Sequence, residues 1–287
     1  MKNFLLKRFN SKAKELNLIR QDLNDFKKGH CTTHAALRLI ECIIHGFNNN
    51  KATLALILDV EEAFDKVWVT GFISKLITAG IPAHFTQLSH SYLNNRYFTA
   101  VHGNSESSRR PILAGVAQGS LVGPVSFNIY INDIPSIQNG YNVFISLYAV
   151  DTNVTIRSES MQLTTNMLYT AVKILEPWLA IGKLRLTLVN VPSHYFPNGG
   201  VTSALITPIK FFHTTINWTK QVKYLGVTLD SKFTYKYHIS KSLCAANHRL
   251  RQFHYILNKS SAININLVLT IYKSLFRSIL TYATPAW

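Results

Sequence analysis

Five consecutive apolar residues, Leu54 to Leu58, run straight into a carboxylate at Asp59. A run that short, apolar at both odd and even positions, predicts a strand covered on both faces. It leaves Asp59 at the end of a buried strand. Val60–Trp68 then reads as a turn and a short helix, with Ala63, Phe64, Val67 and Trp68 apolar. Asp59 with Glu62 also fits a D-x-x-E capping box, which would make Asp59 a helix cap and nothing more. A strand of this kind needs two covering layers, and 287 residues suffice for one large core or two lobes.

A second carboxylate stands ninety residues on. Val143–Ile156 predicts strand, turn and strand: Phe144–Tyr148 and Asn153–Ile156 are rich in β-branched and aromatic residues, and Ala149–Thr152 turn between them. Asp151 then sits at the turn, where aspartate is also a common turn former. Between the two carboxylates, Gly115, Gly119 and Gly123 recur every four residues. In a helix they would make a bare stripe for close packing; in a loop they would let the backbone approach a ligand. Pro124 suits the first turn of a helix over Val125–Ile134.

The remaining elements follow from pattern. Residues 1–20 read as a basic helix and His34–Phe47 as another. Ile73–Ala79 and Phe85–Leu93 are short helices. Arg96–His102 turns at Gly103-Asn104 and resumes past Ser108 as a hairpin. Leu163–Trp178 is amphipathic, Lys183–Leu188 a strand, Val222–Leu229 a strand pair, and the chain turns helical from His238. Cys31-x2-His34 and Cys42-x2-His45 have spacings that structural zinc sites use. Against zinc, Cys42 falls among apolar helix positions, where a small buried thiol is ordinary.

Charge narrows the function. The net charge is +16, distributed as +5 over residues 1–30, +1 over 31–209 and +10 over 210–287. A near-neutral middle between basic ends suits a polyanion clamp and points to nucleic acid. No apolar run approaches the roughly 20 residues that cross a bilayer, so no membrane partner is expected. The start lacks a signal peptide's apolar centre, and three cysteines suggest a reducing compartment. An intracellular location, nucleus or cytoplasm, is expected.

LDVEEAFDKVW, GVAQGSLVGPVSFNIYINDIP, LYAVDT, KYLGVTLD and IYKSLFRSILTYATPAW occur in that order. Together they resemble the reverse transcriptase domain of non-LTR retrotransposons, most closely the jockey-like elements. FKKGHCTTHAALRLIE resembles that family's finger segment. The resemblance implies an α+β right-hand polymerase: partial fingers over 1–52, a palm with an antiparallel sheet over 53–230 carrying a finger hairpin at about 94–112, and a partial helical thumb over 231–287. It implies RNA-directed DNA polymerase activity, with an RNA template, a DNA primer, a dNTP substrate and two Mg²⁺ (or Mn²⁺) ions.

Carried over residue by residue, Asp59 and Asp151 match metal-binding aspartates. Phe64 matches the bulky residue beneath the incoming sugar. Lys27, Gln118 and Gly119 match nucleotide-facing positions, and Tyr224, Leu225 and Gly226 match the primer-grip turn. Four departures stand out. The Tyr-Ala-Asp-Asp box reads Tyr148-Ala149-Val150-Asp151, so Val150 replaces an expected ligand. Ala117 stands where the family has proline before Gln118. Ser193 stands near the place of a lysine that can protonate pyrophosphate. Lys27 keeps the charge of a finger arginine without its bidentate fork. Against that family the chain reads as a truncated and degenerate copy, retaining the fold with little or no polymerase activity; the alternative is an inactive remnant that binds nucleic acid.

Overall fold

A computed structural model of the chain describes residues 2–16, 18, 20, 23, 29–117, 119–120, 122–135, 137, 142–148, 151–185, 193–196, 208–216, 218–219, 221–258 and 263–287. Lys27, Gln118 and Val150 lie outside the described residues.

The chain opens with α1 (Lys2–Glu15) and α2 (Thr32–Asn48), then enters β1 (Ala52–Asp59). Helices α3 (Val69–Thr78) and α4 (Ala83–Leu93) follow. Four short strands, β2 (Arg96–Phe98), β3 (Val101–His102), β4 (Ser105–Glu106) and β5 (Arg110–Ile112), make the expected hairpin. Next come α5 (Gly123–Ile131), β6 (Val143–Tyr148), β7 (Asp151–Ser158) and α6 (Met161–Ile181). The strands β8 (Ser193–Phe196), β9 (Lys210–Phe211), β10 (Thr214–Thr215), β11 (Trp218–Thr219), β12 (Gln221–Tyr224) and β13 (Val227–Asp230) precede the C-terminal helices. Those are α7 (Lys236–Gln252), α8 (His254–Leu257), α9 (Ile265–Ile271), a wide helical turn over Tyr272–Arg277, and α10 (Ser278–Leu280).

β1 lies at the centre of a five-stranded sheet ordered β11-β8-β1-β7-β6. Its six residues Thr53–Leu58 are all buried, as a strand with both faces covered must be. Side chains alternate between the faces. Leu54, Leu56 and Leu58 enter the larger core with Phe127 of α5 and Leu168, Val172 and Leu175 of α6. Ala55 and Ile57 face the other way, into a second core with Leu39, Ile40 and Ile43 of α2 and Val222, Tyr224, Val227 and Leu229 of the β12–β13 hairpin. The apolar run therefore divides its residues between two layers, and the odd-numbered face is the one on which Asp59 emerges.

Several boundaries moved. Val60–Trp68 is not a turn and short helix: residues 61–66 are a run of turns, Glu62 has a positive φ of 48°, and the next helix starts at Val69. The D-x-x-E spacing therefore caps nothing. The β6–β7 connection is also tighter than expected. Tyr148 pairs directly with Asp151, so Asp151 is the first residue of the returning strand and not part of a four-residue turn. Of the expected strand Lys183–Leu188, residues 183–185 are not in a strand and the rest lie outside the described residues.

Candidate active site

Sheet register brings the two singled-out carboxylates together. Asp59 and Asp151 are direct cross-strand partners on antiparallel β1 and β7, and Tyr148 pairs with Asp151 from the other side. Side chains of directly opposed residues stand on one face, about 4.5–5.5 Å apart at Cβ. A single rung, Tyr148–Asp151–Asp59, thus ends the sheet on the α2 side. One same-face step inward lies the rung Ser146–Asn153–Ile57, with Ser146 and Asn153 fully buried. The Asp151 carboxyl is pushed up to about 6, first by burial and then by the charge of Asp59, with the Lys223 ammonium pulling the other way. Burial also raises the Asp59 carboxyl.

Phe64 reaches this end of the sheet through the turns that follow β1. Its half-buried ring packs on Phe127, centroids 4.8 Å apart at 35°. The turn is fixed from the glycine-containing segment: Val116 N–H donates to the Phe64 carbonyl at 2.7 Å and Gly115 N–H to the Val67 carbonyl at 2.8 Å. Arg96 holds that segment in turn, its guanidinium donating to the carbonyls of Leu93, Ala114 and Gly115. Sequence placed Arg96 only near a hairpin; nothing local signals that it clamps a loop eighteen residues on.

Gly115 and Gly119 belong to a loop and only Gly123 to a helix, so the three form no helix stripe. Gly115 has φ +87°, and a Cβ there would lie 2.6 Å from the Asp65 carbonyl oxygen. Backbone meets backbone, so only glycine fits. Gly115→Ala should cost about 1–3 kcal/mol, the range for overpacking together with a strained φ, and a urea melt would read it. Gly119 differs: φ is +73° and nothing lies within 4 Å of a Cβ placed there, leaving its exposed backbone open to a ligand. Gly123 begins α5, its N–H held by Ser120 Oγ at 2.9 Å.

Tyr224, Leu225 and Gly226 stand at the β12–β13 connection. Leu225 (φ +45°) and Gly226 (φ +86°) form a two-residue turn, the left-handed pair a tight hairpin requires. Tyr282 pins that turn: its hydroxyl donates to the Leu225 carbonyl at 2.9 Å and lies 3.0 Å from Thr32 Oγ1, whose own hydroxyl donates back to it. The Tyr224 side chain itself is only 1% exposed. Burial first, and then the charge of Asp151, hold its hydroxyl un-ionised far above neutral pH, with Ser146 pulling the other way. Lys223, on the opposite side of the strand, is exposed and sends its charge toward Asp151. The signal for this was legible in the alternation of V-K-Y.

Among the described residues no group of three or more His, Cys, Asp or Glu side chains is placed to hold a metal ion. Cys42 is buried, with its thiol pushed up by burial, while Cys31 is exposed. His45 is engaged by Arg157 and Asn49. The Asp59–Asp151 pair is different in kind. Two like charges on one rung, each disfavoured by burial, suit a divalent cation, which relieves both the repulsion and the desolvation.

Residues 1–229 match the family model described as reverse transcriptase (RNA-dependent DNA polymerase). The chain is 27% identical over 268 residues to the "Probable RNA-directed DNA polymerase from transposon BS" of Drosophila melanogaster, covering 91% of this chain and 29% of that protein. It is 26% identical over 267 residues to the RNA-directed DNA polymerase from mobile element jockey of the same species, again 91% and 29%. It spans less than a third of the length of these relatives. A solved telomerase from Candida tropicalis, in complex with a TWJ fragment of telomeric RNA, superposes with a TM-score of 0.54 at 10% identity over 99% of this chain and 47% of that one. The likeness is in the fold, an α+β right-hand polymerase built on a sheet that is antiparallel except for the β8–β11 pair.

Proposed function

Because the chain belongs to the reverse transcriptase (RNA-dependent DNA polymerase) family and its relatives are jockey-like retrotransposon polymerases, we propose that Asp59 and Asp151 hold divalent cations for nucleotidyl transfer onto a primer 3′-hydroxyl. The observation that carries this reading is their pairing, side by side on one partly exposed rung at the end of the two strands. Bound Mg²⁺ or Mn²⁺ supplies Lewis acidity to the hydroxyl and to the triphosphate of a dNTP. The protein's share is positioning. Phe64, braced on Phe127, lies beneath the sugar and the open backbone at Gly119 faces the nucleotide; Gln118 and Lys27, outside the described residues, are assigned to the nucleotide and its phosphates by their family positions alone. The turn Leu225-Gly226, pinned by Tyr282, presents backbone to the primer end. The buried Tyr224 side chain supports that turn and does not touch the primer.

In this reading residues 1–52 are partial fingers, 53–230 the palm with the hairpin at about 94–112, and 231–287 part of a thumb. Val150 leaves the site with two carboxylates where the family box supplies a third, so this copy is impaired. Calorimetric titration with Mn²⁺ tests the pair: binding should be lost in Asp59→Asn, and unchanged binding there would end the assignment.

A second reading, binding without catalysis, is favoured by the +10 charge of residues 210–287. An RNA–DNA duplex should bind with log K falling linearly in log salt, by roughly 0.7–0.9 for each phosphate neutralised. Affinity unchanged between about 50 and 200 mM salt would remove the polyanion reading. No helix among the described residues is long and apolar enough to cross a membrane.

A further inference from the structure

A cleft of about 700 Å³ opens beside the turns that leave β1, between those turns, the end of α6 and the β9–β10 hairpin. Its size is that of a small-ligand site. Lys66, Lys183 and Arg185 stand around it with a single lining carboxylate, Glu61. Leu179, Leu184 and the half-buried ring of Phe212 provide apolar surface. The side chains are not in one state of engagement. Lys66 is tied to Glu61 and Glu62 at 3.2 Å. Lys183, held at a left-handed φ of 51°, lays its ammonium 4.3 Å from the centre of the Trp68 ring. Arg185 is exposed, and its backbone carbonyl accepts from Glu61 N–H at 2.8 Å.

This cleft is separate from the carboxylate rung. Leu179, Leu184 and Phe212 pack on the core that receives Leu54, Leu56 and Leu58, while Asp59 and Asp151 emerge on the opposite face. Three cations against two carboxylates, Glu61 and the Glu62 that also holds Lys66, leave a net positive charge that favours an anion, and guanidinium and ammonium groups are the usual phosphate ligands. An aromatic ring with aliphatic neighbours offers a face on which a base stacks.

We propose that the cleft binds a nucleoside 5′-phosphate, with the phosphates on Lys66, Lys183 and Arg185 and the base against Phe212, as a site distinct from the one where a nucleotide would react. Its occupation has a route to the carboxylates. Glu61, hydrogen-bonded to the Arg185 backbone, is two residues from Asp59, so a ligand gripping Arg185 bears on the turns that follow Asp59 and carry Phe64.

The test is calorimetric titration of the full chain with ATP in EDTA, which silences any cation-dependent binding at Asp59 and Asp151. ATP should bind, and Lys183→Ala/Arg185→Ala should weaken it by about tenfold or more, the loss expected for charge-assisted contacts. Both side chains are exposed; unchanged circular dichroism checks the fold, and Arg185→Ala alone serves if the double variant unfolds. Phe212→Leu should weaken ATP and leave pyrophosphate unaffected. The proposal is overturned if ATP does not bind, if the cleft variants bind it as the parent does, or if Phe212→Leu leaves ATP unchanged, which would make the cleft a phosphate site only. Loss of ATP binding in Asp59→Asn, with the cleft variants unaffected, would place the nucleotide on the other face and overturn it as well.

Discussion

Primer extension on an RNA template with Mg²⁺ or Mn²⁺ should stay at background for the chain as written and rise by about 10²-fold or more in Val150→Asp. Valine brings no oxygen to a place where the family's box brings a carboxylate. Val150 is the residue before Asp151 in the sequence. A carboxylate introduced there is one residue from the rung that already carries Asp59 and Asp151. Two dications held close together repel strongly, and in the proposed site the described rung would offset them with only two negative charges, one of them opposed by Lys223. Lewis-acid stabilisation is worth several kcal/mol, and each 1.36 kcal/mol is about tenfold in rate. Robust extension by the unaltered chain would show that two carboxylates suffice. Failure of Val150→Asp to raise extension would put the defect elsewhere, with Ala117 and the Ser193 region the next departures to reverse.

How far the sequence carries can be seen at three places. The centre of the sheet was legible because Leu54–Leu58 has no polar position for water, leaving a doubly covered strand as the natural outcome, and Asp59 at its end followed. The partner of Asp59 was harder. Ala149–Thr152 has no residue that fixes turn length, so the pattern allowed a four-residue turn with Asp151 inside it. The register Tyr148–Asp151 draws that residue onto the strand and, by parity, onto the same face as Asp59. The segment after Asp59 misled for a different reason. Its D-x-x-E spacing matches a cap, but its backbone is claimed by Gly115 and Val116, some fifty residues away in the chain. Contacts of that kind leave no local trace. The same holds for the cleft, whose three cations come from two segments far apart in sequence, and for Tyr282, which reaches back to Thr32 and Leu225. Periodicity reports what a segment buries; it does not report which distant backbone it serves.

Asp151→Asn should separate stability from function, raising the first and removing divalent-cation binding. The Asp151 carboxyl is held up at about 6 in the folded chain, against roughly 3.9 when unfolded. Between those values the folded state binds more protons than the unfolded one, so stability falls as pH rises from about 4 to 6 and stays lowered above that. A shift of about two units corresponds to about 3 kcal/mol at most, less what solvent screens at this partly exposed rung. Asparagine keeps the shape without the charge. In EDTA at pH 7 the variant should therefore unfold at higher urea than the parent, and at pH 4 the two should converge. Added Mn²⁺ should then stabilise the parent, by about 2.7 kcal/mol at a hundred times its dissociation constant, while leaving the variant unmoved. A variant less stable than the parent at both pH values would mean that Asp151 is held by favourable contacts and is not strained against Asp59. A variant stabilised equally by Mn²⁺ would mean that the cation is bound elsewhere.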